Sequence, residues 1–370
     1  MEQARYIYLF ISLVQCFLVC VKGGDECQAD IRAGNSDYNI GVRQVPALFT
    51  FGDSIVDPGN NNFIPTLVKA NFPPHGRDFI DQEPTGRFCN GKLSTDFIAA
   101  GLGLKDRLPP FLDPLLDLQD LLTGVSFASA GTGYDNLTAE AISVIPLWKQ
   151  MEYFKEYKST LTEMVGEVNS SFLIGEAIFL ISAGTNDFLG NYNQFPLRRQ
   201  QFNIEEYEDF LVEICSNFIE KLYKAGGRKF GVYGIPPPGC LPLSKTLYGQ
   251  PNAEGCIQEL NKHAVSYNTK LKSMVRGLKL SLPQIKVTYI DIYNSFHDIV
   301  QNPVKYGFEI SSRGCCGTGL TEVGPTCNSK NTNTCLIASK YVFWDAVHST
   351  EKTYEITAKM VLEAYISKLL

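Results

Sequence analysis

The sequence predicts a single-domain α/β protein in which a mainly five-stranded parallel sheet lies between two layers of helices. Short runs rich in β-branched and aromatic residues alternate with longer helical patterns from end to end. The runs are apolar at nearly every position, which is typical of strands buried on both faces. No internal repeat or low-complexity linker interrupts the alternation, so a second folded domain is not indicated.

The composition limits the classes of function. The 370 residues are 44% hydrophobic and 19% charged, which fits a globular protein and not a disordered one. With 33 Lys and Arg against 39 Asp and Glu, the net charge is -6. A nucleic-acid partner is therefore not expected, because it would usually require a basic face or tail.

Five short runs of Val, Ile, Leu, Phe and Tyr are the predicted strands. They cover residues 47–51, 124–128, 177–182, 229–233 and 285–290. Strands that alternate with helices are joined by right-handed crossovers and lie parallel. Ligands of such sheets bind beyond the carboxyl ends of the strands, so the reactive residues are expected in the loops that follow them.

Four stretches with apolar residues at i+3 and i+4 spacing are the predicted main helices. Ser143 is expected to cap the first, which has Pro146 in its first turn and continues to Met164. The second ends at Gly226-Gly227, a pair typical of a helix C-terminus. The second, third and fourth helices cover residues 207–222, 259–280 and 351–369.

The amino terminus has the layout of a secretory signal peptide. Arg5 precedes an apolar run over residues 6–21, and two glycines follow. A membrane anchor is the alternative, but roughly 16 apolar residues are fewer than the ~20 needed to span a bilayer. We therefore predict a signal peptide at residues 1–23 and a single folded domain at residues 24–370. No later stretch predicts a membrane span, so the mature protein is expected to be secreted and extracellular, in the cell wall or elsewhere.

The use of cysteine agrees with export. Of 11 cysteines, Cys16 and Cys20 lie in the predicted signal peptide, and nine remain. Two groups fall in polar loops: Cys240 with Cys256, and the set Cys315, Cys316, Cys327 and Cys335. Disulfides are favoured over zinc because no histidine shares this spacing, and the pairing is left open. Since nine is odd, at least one thiol is unpaired or pairs between chains, and Cys215 is predicted to be a buried thiol.

Ser54 is the candidate nucleophile. It follows the first predicted strand and the pair Gly52-Asp53, so its hydroxyl is expected at the carboxyl edge of the sheet. The motifs G-x-S-x-G, H-E-x-x-H and G-x-x-x-x-G-K-[ST] are absent from the sequence, as is G-x-G-x-x-G after a strand. Taken alone, however, Gly-Asp-Ser fits a chain turn or a helix cap better than an active site.

A serine nucleophile needs a base, and the chain has four histidines. His348 is the best candidate because Asp345 lies three residues upstream, where one turn can hold both side chains and the carboxylate can orient the imidazole. His297, after the last strand, is a rival base. His75 lies in a proline-rich loop, where it is expected at the surface, and His263 lies in a predicted helix. Taken alone, Asp-x-x-His fits a turn at a helix start equally well.

Two loops carry groups that could donate hydrogen bonds to an oxyanion. Glycines in residues 129–133 would let a backbone N–H approach a substrate closely. Residues 184–187 include Asn186, whose side-chain amide is a donor. Each loop is ordinary by itself, but both follow predicted strands, as Ser54 does, and should lie at the same edge of the sheet.

Four segments, in order along almost the whole mature chain, resemble the sequence blocks of the SGNH hydrolases and specifically of the plant GDSL esterase/lipases. They are Gly52-Asp53-Ser54, the Gly133 loop, Gly184-Thr-Asn186-Asp187 and Asp345-Ala-Val-His348. Further likenesses are DPGNNN at residues 57–62, FPPHGRDF at 72–79, TGRF at 85–88 and PPPGC at 236–240. The resemblance implies the flavodoxin-like, three-layer α/β/α fold of the SGNH hydrolases.

The resemblance also implies a role for each residue of the site. Ser54 would be the nucleophile, and His348 would be the base that Asp345 orients. The oxyanion would be held by the backbone N–H groups of Ser54 and Gly133 and by the side chain of Asn186.

Two details of the resemblance are less regular. Within the second block, Gly131 is an alternative to Gly133. The usual Gly-Asp-Ser-Leu of the family ends in Ile55 here. Leucine and isoleucine have the same volume and polarity, so no loss of chemistry is expected.

The expected activity is that of a secreted serine esterase or lipase, which hydrolyses carboxylic esters through an acyl-serine. The same residues would serve a cell-wall polysaccharide deacetylase or an acyltransferase. Exposed aromatic residues beside the serine would favour a sugar, and an apolar slot would favour an acyl chain. A non-catalytic binding protein and a structural glycoprotein are weaker alternatives.

The expected partner is an ester substrate, and no metal or cofactor is called for because serine, histidine and the oxyanion donors suffice. Export would give meaning to two N-glycosylation sequons, at Asn136 and Asn169. The oligomeric state is left open.

Overall fold

The computed structural model describes residues 45–194, 196–249, 255–330 and 333–370. The predicted signal peptide, residues 1–23, lies outside the described residues, together with its cysteines Cys16 and Cys20. Within the part of the chain that is described, no helix has the length and apolarity needed to cross a membrane.

The centre of the fold is a parallel sheet. Its strands lie side by side in the order in which the chain forms them: β1 (Leu48–Gly52), β2 (Ile178–Ser182), β3 (Lys229–Tyr233) and β4 (Lys286–Ile290). Every pair is parallel, and the strands end at a common edge, where Gly52 is opposite Ser182. Four of the five predicted strands are therefore present at the predicted places.

The remaining predicted strand, residues 124–128, differs from the expectation. It lies along the outer side of β1, where the Phe127 N–H donates to the Thr50 carbonyl at 2.8 Å, but it forms only an isolated bridge there. On its far side, the side-chain amide of Asn60 donates to the carbonyls of Ser126 and Ala128 at 2.9 and 2.8 Å. Ser126 also forms an isolated parallel bridge to Pro110 on that side, so the segment occupies the fifth position of the sheet without forming a regular strand.

Helices cover both faces of the sheet. In the described residues they are α1 (Ser94–Gly101), α2 (Leu118–Thr123), α3 (Asn136–Glu140), α4 (Leu147–Val165), α5 (Glu167–Glu176), α6 (Pro196–Gln201), α7 (Ile204–Lys224), α8 (Pro242–Tyr248), α9 (Gln258–Ser281), α10 (Ile292–Gln301) and α11 (Glu351–Ala364). A second, two-stranded parallel sheet pairs β5 (Ile310–Gly314) with β6 (Tyr341–Phe343).

The alternation of side chains along the strands divides the core into two layers. Phe49 and Phe51 of β1 pack with α4, α7 and α9 on one face, in a cluster that includes Phe154 of α4. Leu48, the residue before Phe49, packs on the other face with α1 and α11, in a cluster that includes Val361. Successive strand residues point to opposite faces, so one strand serves both layers. The predicted three-layer α/β/α class is confirmed.

The four predicted helices are present, but their first and last residues differ from the predicted ones. Ser143 does not cap α4: it has a left-handed φ of 57°, and Pro146 is the N-cap. The second predicted helix, α7, begins earlier because Asn203 caps it in a capping box with Glu206. The last helix stops at Ala364 and is followed by a 3₁₀ turn over residues 366–368.

Three disulfides resolve the pairing that the sequence left open. They join Cys240 to Cys256, Cys315 to Cys335 and Cys316 to Cys327. Among the described residues, Cys89 and Cys215 have no disulfide partner and both are buried, so the prediction of a buried thiol at Cys215 is confirmed. The ninth, Cys27, lies outside the described residues.

Candidate active site

The end of β1 places Ser54 at the carboxyl edge of the sheet. Gly52 has a φ of 128°, and a Cβ there would lie 1.7 Å from the carbonyl oxygen of Ser182, so no side chain fits. The Asp53 N–H donates to that same carbonyl at 2.9 Å. The Asp53 carboxylate accepts from the N–H of Ile55 at 3.1 Å, which closes a tight turn. Asp53 therefore stabilises a chain turn, which was the alternative interpretation of Gly-Asp-Ser, while Ser54 faces the cleft.

Ser54, His348 and Asp345 form a continuous series of hydrogen bonds. The Oγ of Ser54 lies 2.9 Å from Nε2 of His348, and Nδ1 of His348 lies 2.8 Å from Oδ2 of Asp345. An ionised carboxylate only accepts, so Nδ1 carries the proton of the neutral imidazole and Nε2 accepts from the serine hydroxyl. Ser54 and His348 keep 8% and 7% of their surface exposed, whereas Asp345 is fully buried. The serine and imidazole can therefore meet a ligand while the carboxylate cannot.

The turn that carries Asp345 and His348 is held by the carboxylate itself. Oδ1 of Asp345 accepts from the backbone N–H groups of Val347 at 2.8 Å and His348 at 2.7 Å. Oδ2 accepts from the N–H of Gly324 at 2.9 Å, as well as from His348. Burial by itself would raise the pKa of Asp345, but the charge and hydrogen bond of His348 and these N–H donors hold its pKa below the ordinary value.

Of the donors predicted for an oxyanion, Asn186 lines the same cleft as Ser54. The side-chain amide of Asn186 donates to the carbonyl of Thr132 at 2.9 Å, which places it against the loop that contains Gly133. An amide has two N–H bonds, so one is left for a ligand. Among the described residues, the backbone N–H groups of Ser54 and Gly133 have no hydrogen-bond acceptor.

Asp187 joins these two loops. Its buried carboxylate accepts from the N–H groups of Tyr134 and Asp135 at 2.7 and 3.1 Å and from the hydroxyl of Thr138 at 2.5 Å. Burial raises the pKa of Asp187 to about 7, against the opposing effect of the Thr138 hydrogen bond. Asp187 directly follows Asn186, so one turn carries a candidate donor and the group that holds the Gly133 loop.

The DPGNNN segment, residues 57–62, also holds the loop that contains Gly133. The Asp57 carboxylate accepts from the N–H of Ala130 at 2.8 Å, and the Asn61 amide donates to the Ala130 carbonyl at 3.0 Å. The sequence alone did not reveal what these residues do, or that Asp187 reaches the same loop. Several consecutive polar residues immediately after a buried strand were the available signal.

A cleft opens beside Ser54 and His348. Its polar lining includes Asn186 and Thr185. Its apolar lining includes Ile55, Pro236, Leu241, Ile292, Phe296 and Val347. These residues come from the ends of four chain segments that no single motif connects. They could not be assembled from the sequence, because each looks like an ordinary loop or core residue.

The other histidines lie away from Ser54. His297, the rival base, stacks on Tyr293 with ring centroids 6.0 Å apart and is not among the residues of the cleft. His263 lies on α9, as predicted. His75, expected at the surface, is instead buried, with Nδ1 3.1 Å from Nε1 of Trp344.

A hydrogen-bonded serine, histidine and carboxylate at the carboxyl edge of a parallel sheet is the arrangement of the serine hydrolases. Comparison with known proteins gives the family. The model of the GDSL-like lipase/acylhydrolase family matches residues 48–361, and the chain belongs to that family.

The relatives come from Arabidopsis thaliana. GDSL esterase/lipase At2g42990 is 49% identical over 86% of this chain and 91% of its own length, and GDSL esterase/lipase At2g04570 is 46% identical over 87% and 91%. GDSL esterase/lipase APG is 46% identical over 86% and 90%. The predicted family, fold class and enzyme class, a carboxylic ester hydrolase of the GDSL esterase/lipase type, are confirmed.

Proposed function

We propose that the chain is a secreted serine esterase that hydrolyses carboxylic esters of acyl chains through an acyl-enzyme on Ser54. The distance of 2.9 Å between Ser54 Oγ and His348 Nε2 is the observation on which this proposal depends. It is the reach needed for proton transfer from a nucleophile to its base. A non-catalytic binding protein would not need a serine hydroxyl directed at an imidazole that is itself oriented by a buried carboxylate.

The first half of the reaction transfers the acyl group. Ser54 Oγ bonds to the ester carbonyl carbon while its proton moves to Nε2 of His348, and the negative charge of Asp345 stabilises the imidazolium that forms. The oxyanion accepts hydrogen bonds from the Ser54 and Gly133 N–H groups and from Asn186. When the tetrahedral intermediate collapses, the bond to the alcohol oxygen breaks and that oxygen takes the proton from Nε2.

The second half releases the acid. Water attacks the acyl carbon and gives a proton to Nε2 of His348, which passes it to Ser54 Oγ as the acyl–serine bond breaks. His348 must be neutral at the start of each half, because Nε2 can take the proton of serine or water only when it is unprotonated.

The lining of the cleft favours an acyl chain over a sugar. Leu241, Ile292 and Phe296 present an apolar side next to the serine, with Ile55 and Val347 completing it. An aliphatic chain gains free energy when it is buried against such a surface. A polysaccharide acetate, the alternative substrate, would instead be favoured by hydroxyl-binding groups and exposed aromatic rings. Acyl transfer to an alcohol would use the same residues and remains the alternative for the second step.

Export is the second part of the proposal, and the three disulfides and two sequons support it. Structural disulfides persist in oxidising compartments. Asn136, at the first residue of α3, and Asn169, in α5, are both exposed, so both can carry a glycan. The test is the mass of the protein secreted by a eukaryotic host. It should begin near residue 24 and lose mass at both asparagines after enzymatic removal of N-glycans.

A labelling experiment tests the catalytic part of the proposal. The secreted protein is treated with a fluorophosphonate and analysed by mass spectrometry, and turnover of p-nitrophenyl esters is measured from acetate to long acyl chains. One adduct on Ser54, with turnover that is better for longer chains, is expected. Ser54→Ala should lose the adduct and about 10³-fold or more of kcat, whereas Ser273→Ala, on the exposed side of α9, should behave as the parent.

The outcomes separate the alternatives. An adduct on Ser54 with turnover of acetates only would replace the acyl-lipid substrate by a polysaccharide acetate. A folded protein with neither adduct nor turnover would refute the esterase and favour a binding protein.

A further inference from the structure

The carboxylate of Asp345 takes a hydrogen bond from outside its own turn. The donor is the N–H of Gly324, 2.9 Å from Oδ2, the same oxygen that accepts from His348. Gly324 belongs to the loop closed by the Cys316–Cys327 disulfide, which we call the disulfide loop (residues 316–327). The hydrogen bonding of Asp345 therefore depends on how this loop is placed.

The peptide at Gly324 is tightly constrained. Its φ is 48°, and a Cβ there would lie 2.6 Å from the ring of Phe88, so a side chain does not fit. Its carbonyl accepts from the N–H of Cys327 at 2.9 Å and lies 3.1 Å from Nε2 of His75. Both lone pairs of the carbonyl are thus used, one from within the disulfide loop and one from a histidine 249 residues earlier in the chain.

Trp344 decides which nitrogen of His75 carries the proton. The indole N–H of Trp344 can only donate, and Nδ1 of His75 lies 3.1 Å from it. Nδ1 must therefore accept, so the proton is on Nε2 and the imidazole donates to the Gly324 carbonyl. Burial lowers the pKa of His75 to about 4, and the groups whose charges reach it are Asp345 and His348. His75 is therefore neutral over the range in which the enzyme would work.

These contacts close a ring around the catalytic carboxylate. Trp344 precedes Asp345 in the chain, Trp344 donates to His75, His75 donates to Gly324, and Gly324 donates to Asp345. All four residues are buried. The donations run in one direction, and the link to the Gly324 peptide is lost if the imidazole loses its Nε2–H.

We propose that His75 is a positioning residue for the catalytic site: its Nε2–H holds the Gly324 peptide so that the Gly324 N–H keeps the Asp345 carboxylate in register with His348. The inference rests on the proposed function, because it assigns Asp345 and His348 to catalysis. His75 itself touches none of the reacting atoms. Through the Gly324 N–H, the disulfide loop helps to hold the carboxylate that orients His348.

Two substitutions of His75 in the full chain test the proposal. Glutamine can extend a side-chain N–H to the place of Nε2, whereas asparagine is one methylene shorter and cannot reach Gly324. His75→Asn should lower kcat per active site on the order of 10- to 100-fold, as for a reacting group displaced by about 1 Å. The KM should stay within about two-fold of the parent, because the cleft itself is untouched. His75→Gln should recover most of the loss.

The pH profile separates positioning from simple loss of fold. Without the Gly324 donor, the negative charge of Asp345 is less well compensated and favours the imidazolium of His348 more strongly. The acid limb of kcat/KM should therefore move to higher pH in His75→Asn and not in His75→Gln. Active sites are counted by fluorophosphonate adducts on Ser54, so a partly unfolded sample does not lower kcat per site. His263→Asn, on α9, is the control and should match the parent.

A second measurement does not depend on turnover. Amide hydrogen exchange of the peptide that contains Gly324 should be faster in His75→Asn than in the parent and His75→Gln. The proposal is overturned if exchange and kcat per site are unchanged in His75→Asn, or if both variants lose kcat equally with no shift of the acid limb. A parent protein without adduct or turnover would instead refute the proposed function, and the exchange experiment would still decide whether His75 holds Gly324.

Discussion

Gly133→Ala tests the assignment of the oxyanion donors most directly. A Cβ at Gly133 would lie 2.0 Å from Oδ1 of Asp187 and 2.4 Å from its Cγ. The carboxylate cannot turn away at low cost, because it accepts from the N–H groups of Tyr134 and Asp135 and from the hydroxyl of Thr138. The alanine variant must therefore move the loop, and the N–H of residue 133 moves with it.

The size of the effect follows from that displacement. Contacts of a Cβ under 3.0 Å are essentially never found, so the methyl group and the carboxylate must separate by about 1 Å. Loss of one oxyanion donor lowers kcat by roughly 10²–10³-fold, equivalent to about 2.7–4 kcal/mol. Overpacking at a buried site should also lower the free energy of unfolding by about 1–3 kcal/mol.

Gly131→Ala is the matched control, and it separates the two glycines that the sequence could not. A Cβ at Gly131 would meet the end of the Ile142 side chain at 2.5 Å, and Ile142 is 39% exposed and can move. Because Gly131 has a φ of 90°, its alanine variant should lose about 1–2 kcal/mol of stability but keep its kcat.

The assay is kcat and KM on a p-nitrophenyl ester, with the rate of fluorophosphonate labelling and a thermal melt for each variant. The expected result is a folded Gly133→Ala with a large loss of kcat and slow labelling, beside a less stable but active Gly131→Ala. If Gly133→Ala keeps kcat within about three-fold while Gly131→Ala loses it, the donor has been assigned to the wrong residue.

Three further changes have definite expected outcomes. Asn186→Ala should lower kcat by roughly 10²–10³-fold with little change in KM, and unchanged turnover would remove Asn186 from the oxyanion site. His348→Gln should lower kcat on the order of 10³-fold or more, while His297→Gln should not; the reverse result in ester turnover would make His297 the base. Burial raises the pKa of Asp187 from 3.8 to about 7. Between these two pH values the folded chain therefore keeps a proton on Asp187 that the unfolded chain has lost. This contribution to stability is complete below about pH 4 and disappears as pH rises through 7, so the drop in melting temperature between pH 5 and 8 should be smaller in Asp187→Asn.

Much of the fold could be predicted because it depends on local pattern. Four strands and the main helices appear where apolar periodicity indicated them, since burial on both faces favours apolar residues at most strand positions. The ends were less predictable. Ser143 looks like an N-cap in sequence, but its left-handed backbone places it in a turn before Pro146. Residues 124–128 have the composition of a strand, but they form only isolated bridges, from Ser126 to Thr50 and to Pro110.

The candidate site was predictable in its reactive groups and not in its supports. Ser54, Asn186 and His348 each follow a strand or precede a helix in short motifs, so their chemistry can be read locally. His75 shows the limit. In sequence it is one histidine in a proline-rich loop, and only folding brings it to Trp344, 269 residues away. The sequence contains no local signal for a contact across that separation.

The sequence by itself therefore determined the class of fold, the family and the reactive groups, because periodicity and short motifs are local properties of the chain. The tertiary structure alone decided how the cysteines of the described residues pair and which residues line the cleft. It also decided that His75 and Asp187 hold the loops of the site. These are contacts between distant segments, and they form only because burial of the sheet and its two helical layers brings the carboxyl ends of the strands to one edge.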